Sequence, residues 1–177
     1  SVEKPYPDTP EQGNLMVNAE LLPMSSPDFE PGPPNAESIE VARIVDRCIR
    51  EAHALDLKKL CITPAEKVWS VSIDVVTINA AGNIIDAAVY AAILALRDAV
   101  FPTYKDDAVD YKKLTKDKLP LLKTPLPVTV TKIGDQLLVD PLLDEEAAAE
   151  ARLTICVQDD DQLCALQKGG ETALSIE

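Results

Sequence analysis

Three arginines in one segment stand at the spacing of a single helix face. Arg43, Arg47 and Arg50 occupy positions i, i+4 and i+7, so at 100° per residue they fall within an arc of about 60°. Guanidinium groups bind phosphates and carboxylates through paired hydrogen bonds. Like charges at this spacing repel one another mildly unless an anion lies between them. The spacing predicts either an anion-binding face or the solvated charged face that is normal on an amphipathic helix.

Acidic side chains cluster at two other places. The first cluster consists of Asp140, Asp144, Glu145, Glu146 and Glu150. The second is the run Asp159, Asp160 and Asp161. Carboxylate oxygens are ligands for divalent cations, so either cluster is a candidate metal site. We interpret both as solvated, the first as the acidic beginning of a helix and the second as a β-turn.

Motifs for nucleophilic catalysis and for phosphate binding are poorly supported. His53 is the only histidine, and its position beside the buried side of the arginine-bearing helix favours a core or boundary residue over a catalytic base. Neither GxxxxGK(S/T) nor GxGxxG occurs. The run Lys168-Gly169-Gly170 would expose backbone amides to an anion, but a pair of glycines is more typical of a turn.

Charge and cysteine content narrow the possible partners. The chain has 17 Lys and Arg against 30 Asp and Glu, a net charge of −13, so its surface as a whole repels a nucleic-acid backbone. Any RNA or DNA contact requires a local basic patch or the charge of a partner. The four cysteines are Cys48, Cys61, Cys156 and Cys164. They lack CxxC spacing and clustered histidines, so we interpret them as reduced core thiols of a cytosolic protein, with disulfides as the alternative.

Length and composition predict one compact domain, or two small ones. The 177 residues are enough to bury a core without a disulfide or metal. Apolar residues make up 46% but aromatic residues only 4%, so Val, Ile, Leu and Ala must build that core. No apolar run approaches the ~18 residues of a membrane span, and no basic-then-apolar leader opens the chain. We expect a chain that neither spans a membrane nor is an exported precursor.

The first half of the chain contains the helix that carries the arginines. Prolines interrupt the first 37 residues, within which 14–22 predicts a strand. A helix is predicted over 38–55, and the side opposite the arginines holds Ala42, Val45, Ile49 and Ala52. Residues 68–79 alternate between apolar and polar side chains and are rich in β-branched ones, which predicts a strand. Residues 86–100 are apolar nearly all round, which indicates a helix buried against a sheet.

The second half reads as strands with little helix. Residues 102–124 have no clean periodicity and predict a loop. Two hairpins are predicted from paired strands, 128–133 with 136–140 and 153–157 with 162–167. Residues 144–152 predict a short helix. About six mostly antiparallel strands and two main helices place the chain in the α+β class.

Several runs together resemble the RNase PH family. They are PYPDTPEQGNLMVNAELLP, FEPGPP, IEVARIVDRCIRE, LDLKKLCI, KVWSVSIDV and GNIIDAA, continued by QLLVD, Glu145-Glu146 and ALQKGG. FEPGPP followed by the VDR helix is a specific combination, and the resemblance covers nearly the whole chain. Within the family, the chain is similar to the branch of non-catalytic RNase PH-type subunits of the archaeal exosome and their eukaryotic ring relatives.

The resemblance implies a two-layer α+β fold in which a mostly antiparallel sheet packs against helices. It implies a single RNase PH-type domain over 1–177. Members of the family carry further chain at both ends, including an N-terminal DGR-type segment and a C-terminal helix, and we expect this chain to lack both. The implied assembly is a cytoplasmic heterodimer with a catalytic RNase PH-type subunit. Three such pairs form a hexameric ring around a pore, with RNA-binding cap subunits and single-stranded RNA as further partners.

The resemblance also implies that this chain is catalytically silent. Catalytic relatives break the terminal 3′ linkage of RNA with phosphate, which they hold by an arginine and a GTR-like turn. The matching positions here are Glu37, Ile84 and Ile85, and the positions of the family's acidic pair are Glu146 and Arg152. Arginine has no acceptor and cannot ligate magnesium. We therefore expect no cofactor in this chain, and phosphate and magnesium in the catalytic partner.

The arginine spacing acquires a role from the same resemblance. In the archaeal non-catalytic subunits, arginines of this helix contact RNA phosphates, which assigns RNA binding to Arg43, Arg47 and Arg50. The resulting hypothesis is an RNA-positioning, non-catalytic subunit of a ring that degrades RNA from its 3′ end by phosphorolysis. Two alternatives are a self-sufficient phosphorolytic exoribonuclease that uses Asp140, Glu145 or Glu146, and a purely architectural ring subunit without an RNA role.

Overall fold

The computed structural model describes residues 1–159 and 161–174, and its helices and strands place the chain in the predicted α+β class. Asp160 of the predicted acidic turn lies outside the described residues. The strands are β1 (Val2–Glu3), β2 (Asn14–Glu20), β3 (Cys61–Thr63), β4 (Lys67–Val76), β5 (Val100–Lys105), β6 (Ala108–Lys118), β7 (Leu126–Ile133), β8 (Gln136–Val139), β9 (Ala151–Val157) and β10 (Leu163–Gly170). The helices are α1 (Ala36–Glu51), α2 (Ile84–Asp98) and α3 (Leu143–Ala147), with a 3-10 helix at Leu57–Leu60.

The first sheet has the order β1-β4-β2, and β3 also pairs with β4. Strands β1 and β3 run antiparallel to β4, whereas β2 runs parallel to it from Asn14 beside Ser70 to Glu20 beside Val76. A parallel pair needs a long crossover connection, and α1 lies within the connection between β2 and β4. Strand β2 ends the sheet, so its outer edge faces away from β4.

The second sheet has the order β10-β9-β7-β8 and is antiparallel throughout. It contains both predicted hairpins, β7 with β8 and β9 with β10, which are confirmed. The long-range pairing is between β7 and β9, with Val128 beside Ile155 and Val130 beside Leu153.

The helices α1 and α2 pack against each other and share their apolar faces with both sheets. Helix α1 contacts β2 and β10, and α2 contacts β4 and β7. The buried face of α1 includes Val45, Cys48 and Ile49, which are at most 1% exposed. Small and β-branched residues therefore form the core, as the composition predicts.

Helix α1 is shorter than predicted and ends before the histidine. Asn35 caps its first turn by accepting a hydrogen bond from the Ser38 N–H at 2.8 Å. At the other end, His53 has a φ of 50°, and Ala54 N–H donates to the Ile49 carbonyl at 3.0 Å. These are features of a Schellman cap. The interpretation of His53 as a core or boundary residue is wrong, because the cap turns its side chain to solvent, where it is exposed.

The loop predicted for 102–124 is also wrong, because most of it forms the hairpin β5–β6. Its register is irregular: Pro102 lies beside Leu114, but the next residue, Thr103, lies beside Asp110. Bulges of this size break the alternation of side chains between the two faces. The sequence therefore lacks the period-2 pattern by which strands are predicted.

Two further predictions need correction. The helix predicted over 144–152 ends at Ala147, because Ala151 and Arg152 instead pair with Lys132 and Thr131 of β7, and sheet pairing overrides helix propensity. Helix α2 packs on the sheets as predicted but leaves one face uncovered, with Leu94 62% exposed.

Candidate nucleic-acid interface

A groove between β2 and α1 holds two of the three predicted arginines. It has a volume of about 570 Å3, with residues 17–20 of the edge strand β2 forming one wall. The other wall is α1, which contributes Ile39, Arg43, Asp46 and Arg47. We call it the arginine groove. Arg50 lies one turn further along α1 and lines a neighbouring cavity of about 270 Å3.

The three guanidinium groups differ in how they are already bound. Arg50 donates to both carboxylate oxygens of Asp46, at 2.6 Å and 3.1 Å, and to the Leu15 carbonyl at 3.0 Å. Hydrogen bonding to Asp46 raises the pKa of Arg50. Arg47 donates to the Leu166 carbonyl at 3.2 Å. Arg43 is exposed and makes no hydrogen bond or ion pair with the described residues, so it is the guanidinium most available to a ligand.

The chain itself places an anion, the carboxylate of Asp46, next to one of the three arginines. Asp46 stands four residues before Arg50, the spacing of an intrahelical ion pair, and its carboxylate lies beside Arg50. The spacing of Asp46 and Arg50 in the sequence is itself the signal of this ion pair, which the spacing of the arginines alone does not reveal. The repulsion among the three arginines is therefore weaker evidence for a bound phosphate than the open groove beside Arg43.

The residues matched to the family's catalytic positions lie around a second, much smaller cavity. Glu37, Ile84, Ile85, Glu146 and Arg152 all line it, although they come from α1, α2, α3 and β9. Its volume is about 30 Å3, the space of one water molecule. Glu40, Val41, Asn83 and Thr129 complete its wall, and we call it the acidic cavity.

An ion pair between Glu40 and Arg152 occupies one side of the acidic cavity. The Arg152 guanidinium donates to one carboxylate oxygen of Glu40, and the Gln167 side-chain amide donates to the other at 3.3 Å. A Cβ on Gly169 would lie 2.6 Å from Arg152 Nε, so only glycine leaves room for the arginine here. This contact ties α1 to β9 and β10, and Glu40 was not predicted because it lies 112 residues from Arg152.

The other side of the acidic cavity is held by a network around Asn83. Its backbone N–H donates to Glu146 at 2.9 Å, and its side-chain amide donates to Asp86 at 3.0 Å and Asp140 at 3.3 Å. The predicted acidic cluster is thus divided among structural roles. Two other members accept hydrogen bonds from backbone N–H groups: Glu145 from Leu142, and Glu150 from Gly134.

The surroundings of Glu37 in the acidic cavity raise its pKa. Loss of solvent around its carboxyl group raises its pKa, and the neighbouring carboxylates of Glu146 and Glu40 raise it further, while Arg152 opposes them. A carboxyl group with a raised pKa in the folded state binds its proton more tightly than in the unfolded chain. At neutral pH the ionised Glu37 therefore destabilises the fold.

Replacing Glu37 by glutamine is expected to stabilise the protein modestly at pH 7. The gain should disappear below about pH 4, where Glu37 is protonated in both states and carries no charge to remove. The measurement is the free energy of urea unfolding of both proteins at the two pH values. Glu51→Gln, at the exposed far end of α1, is the control, and a Glu37→Gln protein less stable than the parent at pH 7 would contradict the expectation.

Two of the four thiols have environments that raise their pKa. All four cysteines are free, with Cys48 and Cys156 buried. A hydrogen bond with Cys48, together with burial, raises the pKa of Cys156, and burial raises the pKa of Cys164 to about 12. Both thiols are therefore protonated at neutral pH. The prediction of core thiols is confirmed for Cys48 and Cys156, whereas Cys61 and Cys164 are only half-buried.

None of the helices described here is both long enough and apolar enough to cross a bilayer.

The chain thus has an α+β fold in which helix α1 lines both an open groove with two arginines and a small cavity rich in carboxylates. Comparison with known families identifies the class. The profile of the 3′ exoribonuclease family, domain 1, matches residues 1–102, and that of domain 2 matches residues 123–177. The chain therefore belongs to the 3′ exoribonuclease family, the RNase PH family.

Individual relatives narrow the comparison to one type of subunit. The chain is 45% identical over 176 residues to the exosome complex component Rrp42 of Methanothermobacter thermautotrophicus, covering 98% of this chain. It spans 65% of the length of that relative. Its structure is similar to a chain of the Archaeoglobus fulgidus exosome with RNA bound to the active site, with a TM-score of 0.91 and 44% identity over 99% of this chain and 67% of that one. A chain of an archaeal exosome core matches with a TM-score of 0.84 and 40% identity, over 99% of this chain and 65% of that one.

Proposed function

We propose that this chain is a non-catalytic, RNA-positioning subunit of an exosome ring that degrades RNA from the 3′ end by phosphorolysis. The observation that carries the proposal is the contrast between the two sites. The positions of the family's chemistry meet in a cavity of about 30 Å3 that an internal ion pair closes, while the arginine groove beside them is open at about 570 Å3.

The residues of the acidic cavity are unsuited to phosphorolysis. Glu37 would repel an incoming phosphate, and Ile84 and Ile85 offer it no side-chain donors. Arg152 has no acceptor with which to ligate magnesium, and its guanidinium is already bound to Glu40. Glu146 is engaged by the backbone of Asn83. The phosphate and the magnesium ion therefore belong to a catalytic RNase PH-type partner, and this chain supplies neither acid nor base.

The row of arginines along α1 is suited to the backbone of single-stranded RNA, although the carboxylates of Glu20 and Asp46 also line the arginine groove. Arg43 and Arg50 are separated by seven residues, about 10 Å along the helix axis, and Arg47 lies between them. A row of guanidiniums grips phosphates and ignores base identity, so the binding is expected to be independent of sequence. Arg43 makes the first contact, because Arg47 and Arg50 must exchange or share the bonds that they make within the chain.

The partners follow from the same proposal. The chain pairs with its catalytic subunit, three such pairs close a hexameric ring, and RNA-binding cap subunits complete the assembly. The chain is a single RNase PH-type unit of that ring. Protonated, unpaired thiols suit the reducing cytoplasm, where we place the complex.

Phosphate-dependent decay of a labelled single-stranded RNA tests the proposal. The assay compares this chain alone, the catalytic RNase PH-type subunit of the same source alone, and the two mixed in equal amounts with magnesium. We expect background decay from this chain, and faster release of nucleoside diphosphates from the mixture than from the partner. Omission of phosphate is the control, because phosphorolysis stops without its co-substrate.

Two outcomes would replace the proposal with its alternatives. Decay by this chain alone that disappears when Glu146 is replaced by glutamine would make it a self-sufficient exoribonuclease. An assembled ring whose activity does not exceed that of the partner, and whose RNA affinity ignores the arginines, would make it purely architectural.

A further inference from the structure

The pairing of the two strands in the hairpin β5–β6 is irregular. Its two strands pair only with each other among the described strands. Between the pairs Pro102–Leu114 and Thr103–Asp110, three residues of β6 face no partner. They are Tyr111, Lys112 and Lys113, and we call them the lysine bulge. Large bulges in natural sheets usually redirect side chains for a purpose.

The lysine bulge is built from specific hydrogen bonds. The Asp110 side chain accepts from the Lys112 N–H at 3.1 Å, which closes a turn at the start of the bulge. Beyond its end, the Thr115 hydroxyl donates to the Phe101 carbonyl of β5 at 2.8 Å. The ring of Phe101 in turn packs against Trp69 of β4, with ring centroids 5.2 Å apart, so the hairpin is anchored to the first sheet.

The surface that the bulge presents combines an aromatic ring with positive charge. Tyr111 is 64% exposed. Lys112, Lys113 and Lys116 are exposed, and only Lys113 has an ion-pair partner among the described residues, Asp110 at 3.7 Å. Residues 108–123 contain five lysines and two aspartates, a local charge of +3 in a chain of −13. This segment is therefore locally attractive to an anion that the rest of the surface repels.

The hairpin leaves the core at the end of α1 that carries Arg50. Just after β6, the Pro120 carbonyl accepts from the Asp56 N–H at 2.9 Å, and Leu121 bridges to Leu55, four residues beyond the end of α1. The row of arginines runs along α1 toward this same end. An extended polymer that follows the row from Arg43 to Arg50 therefore moves toward the base of the hairpin.

We infer that the lysine bulge is a second contact for single-stranded RNA on this chain, in which Tyr111 stacks on a base and Lys112, Lys113 and Lys116 bind phosphates. The inference rests on the proposed function for the identity of the polymer. An exposed aromatic ring flanked by ammonium groups is the combination by which proteins hold single strands without reading their sequence. An acidic protein surface would use the lysines but would gain little from the ring.

The test uses this chain alone, so that it does not depend on assembly of a ring. A fluorescent oligouridine of about 12 nucleotides is titrated across a series of salt concentrations. We expect Lys112→Glu, Lys113→Glu and Lys116→Glu together to weaken binding at least about tenfold. We also expect the slope of log affinity against log salt to fall by about 2, because three phosphate contacts on a single strand contribute about 0.7 each. Lys4→Glu, Lys59→Glu and Lys168→Glu, which make the same charge change elsewhere, should leave the slope unchanged.

Stacking is tested separately from charge. Tyr111→Ala should lower the affinity several-fold at every salt concentration without changing the slope, whereas Leu137→Ala, at a similarly exposed apolar side chain, should not. Irradiation with 4-thiouridine RNA should place a crosslink on the lysine bulge. Unchanged RNA affinity of the hairpin variants would overturn the inference. Neither result bears on the decay assay, so failure here and failure of the proposed function are distinguishable.

Discussion

Replacing Arg43, Arg47 and Arg50 together by glutamate is expected to weaken the binding of single-stranded RNA to the assembled ring by roughly 100-fold at about 0.1 M salt. Each phosphate contact on a single strand contributes about 0.7 to the slope of log affinity against log salt. The loss of three contacts therefore lowers the affinity about 100-fold at that concentration. The measurement is an anisotropy titration without phosphate, which keeps the RNA intact. The slope of log affinity against log salt should fall by about 2.

The effects of the single substitutions on RNA binding should follow how available each guanidinium group is in the free chain. Arg43→Glu is expected to have the largest single effect, because the Arg43 guanidinium has no bond to a described residue to give up, whereas that of Arg50 is held by Asp46. Lys4→Glu, Lys59→Glu and Lys168→Glu together change the net charge equally and serve as the control. If this control weakened RNA binding as much as the arginine variant, a general charge effect would explain both.

Sedimentation of each variant ring shows whether assembly is intact, and Arg43→Glu alone tests the site if the triple variant fails to assemble.

Replacing Asp86 by alanine is expected to destabilise the fold by about 3 kcal/mol or more. Asp86 is 5% exposed and accepts hydrogen bonds from the Thr129 N–H at 2.8 Å, the Thr129 hydroxyl at 2.7 Å and the Asn83 amide at 3.0 Å. Without the carboxylate, the Thr129 N–H is left buried and unpaired, and Asn83 loses the anchor that orients the acidic cavity. The free energy of urea unfolding measures the effect.

The matched control for this prediction lies on the same helix. Asp98→Ala removes a carboxylate that is 95% exposed and paired with Lys118, and exposed pairs contribute at most about 1 kcal/mol. Comparable losses for the two variants would mean that the buried network contributes nothing beyond surface electrostatics. Thr129→Val is the complementary variant, because it removes the hydroxyl but keeps the N–H bonded to Asp86.

The periodic parts of the fold were predictable from the sequence. Helix α1 and the hairpins β7–β8 and β9–β10 have strong local signals: an apolar stripe at helical spacing, and strands joined by Gly134-Asp135 or an aspartate-rich turn. The hairpin β5–β6 was missed because its bulge disrupts the alternation, and α3 was predicted too long because β7 and β10 recruit Ala151 and Arg152 into the sheet. Pairing with strands distant in sequence decided both cases.

The site divides in the same way. The row Arg43, Arg47 and Arg50 lies on one face of α1 as its spacing requires, and Asp46, which pairs with Arg50, lies beside it. The convergence of Glu37, Ile84, Glu146 and Arg152 on one cavity was implied only by resemblance. Their separations of up to 115 residues carry no local signal.

The sequence by itself determined the α+β class, the aliphatic core, the arginine face and the family to which the chain belongs. These depend on composition, on periodicity within one element, and on motifs read in order along the chain. Only the tertiary structure decided that Glu40 pairs with Arg152, that the acidic cavity has the size of one water molecule, and that Arg43 binds none of the described residues beside an open groove. These depend on distances between elements, which the packing of α1 and α2 between two sheets sets. A pattern along the chain specifies which face a residue occupies, but not which residue from another element meets it there.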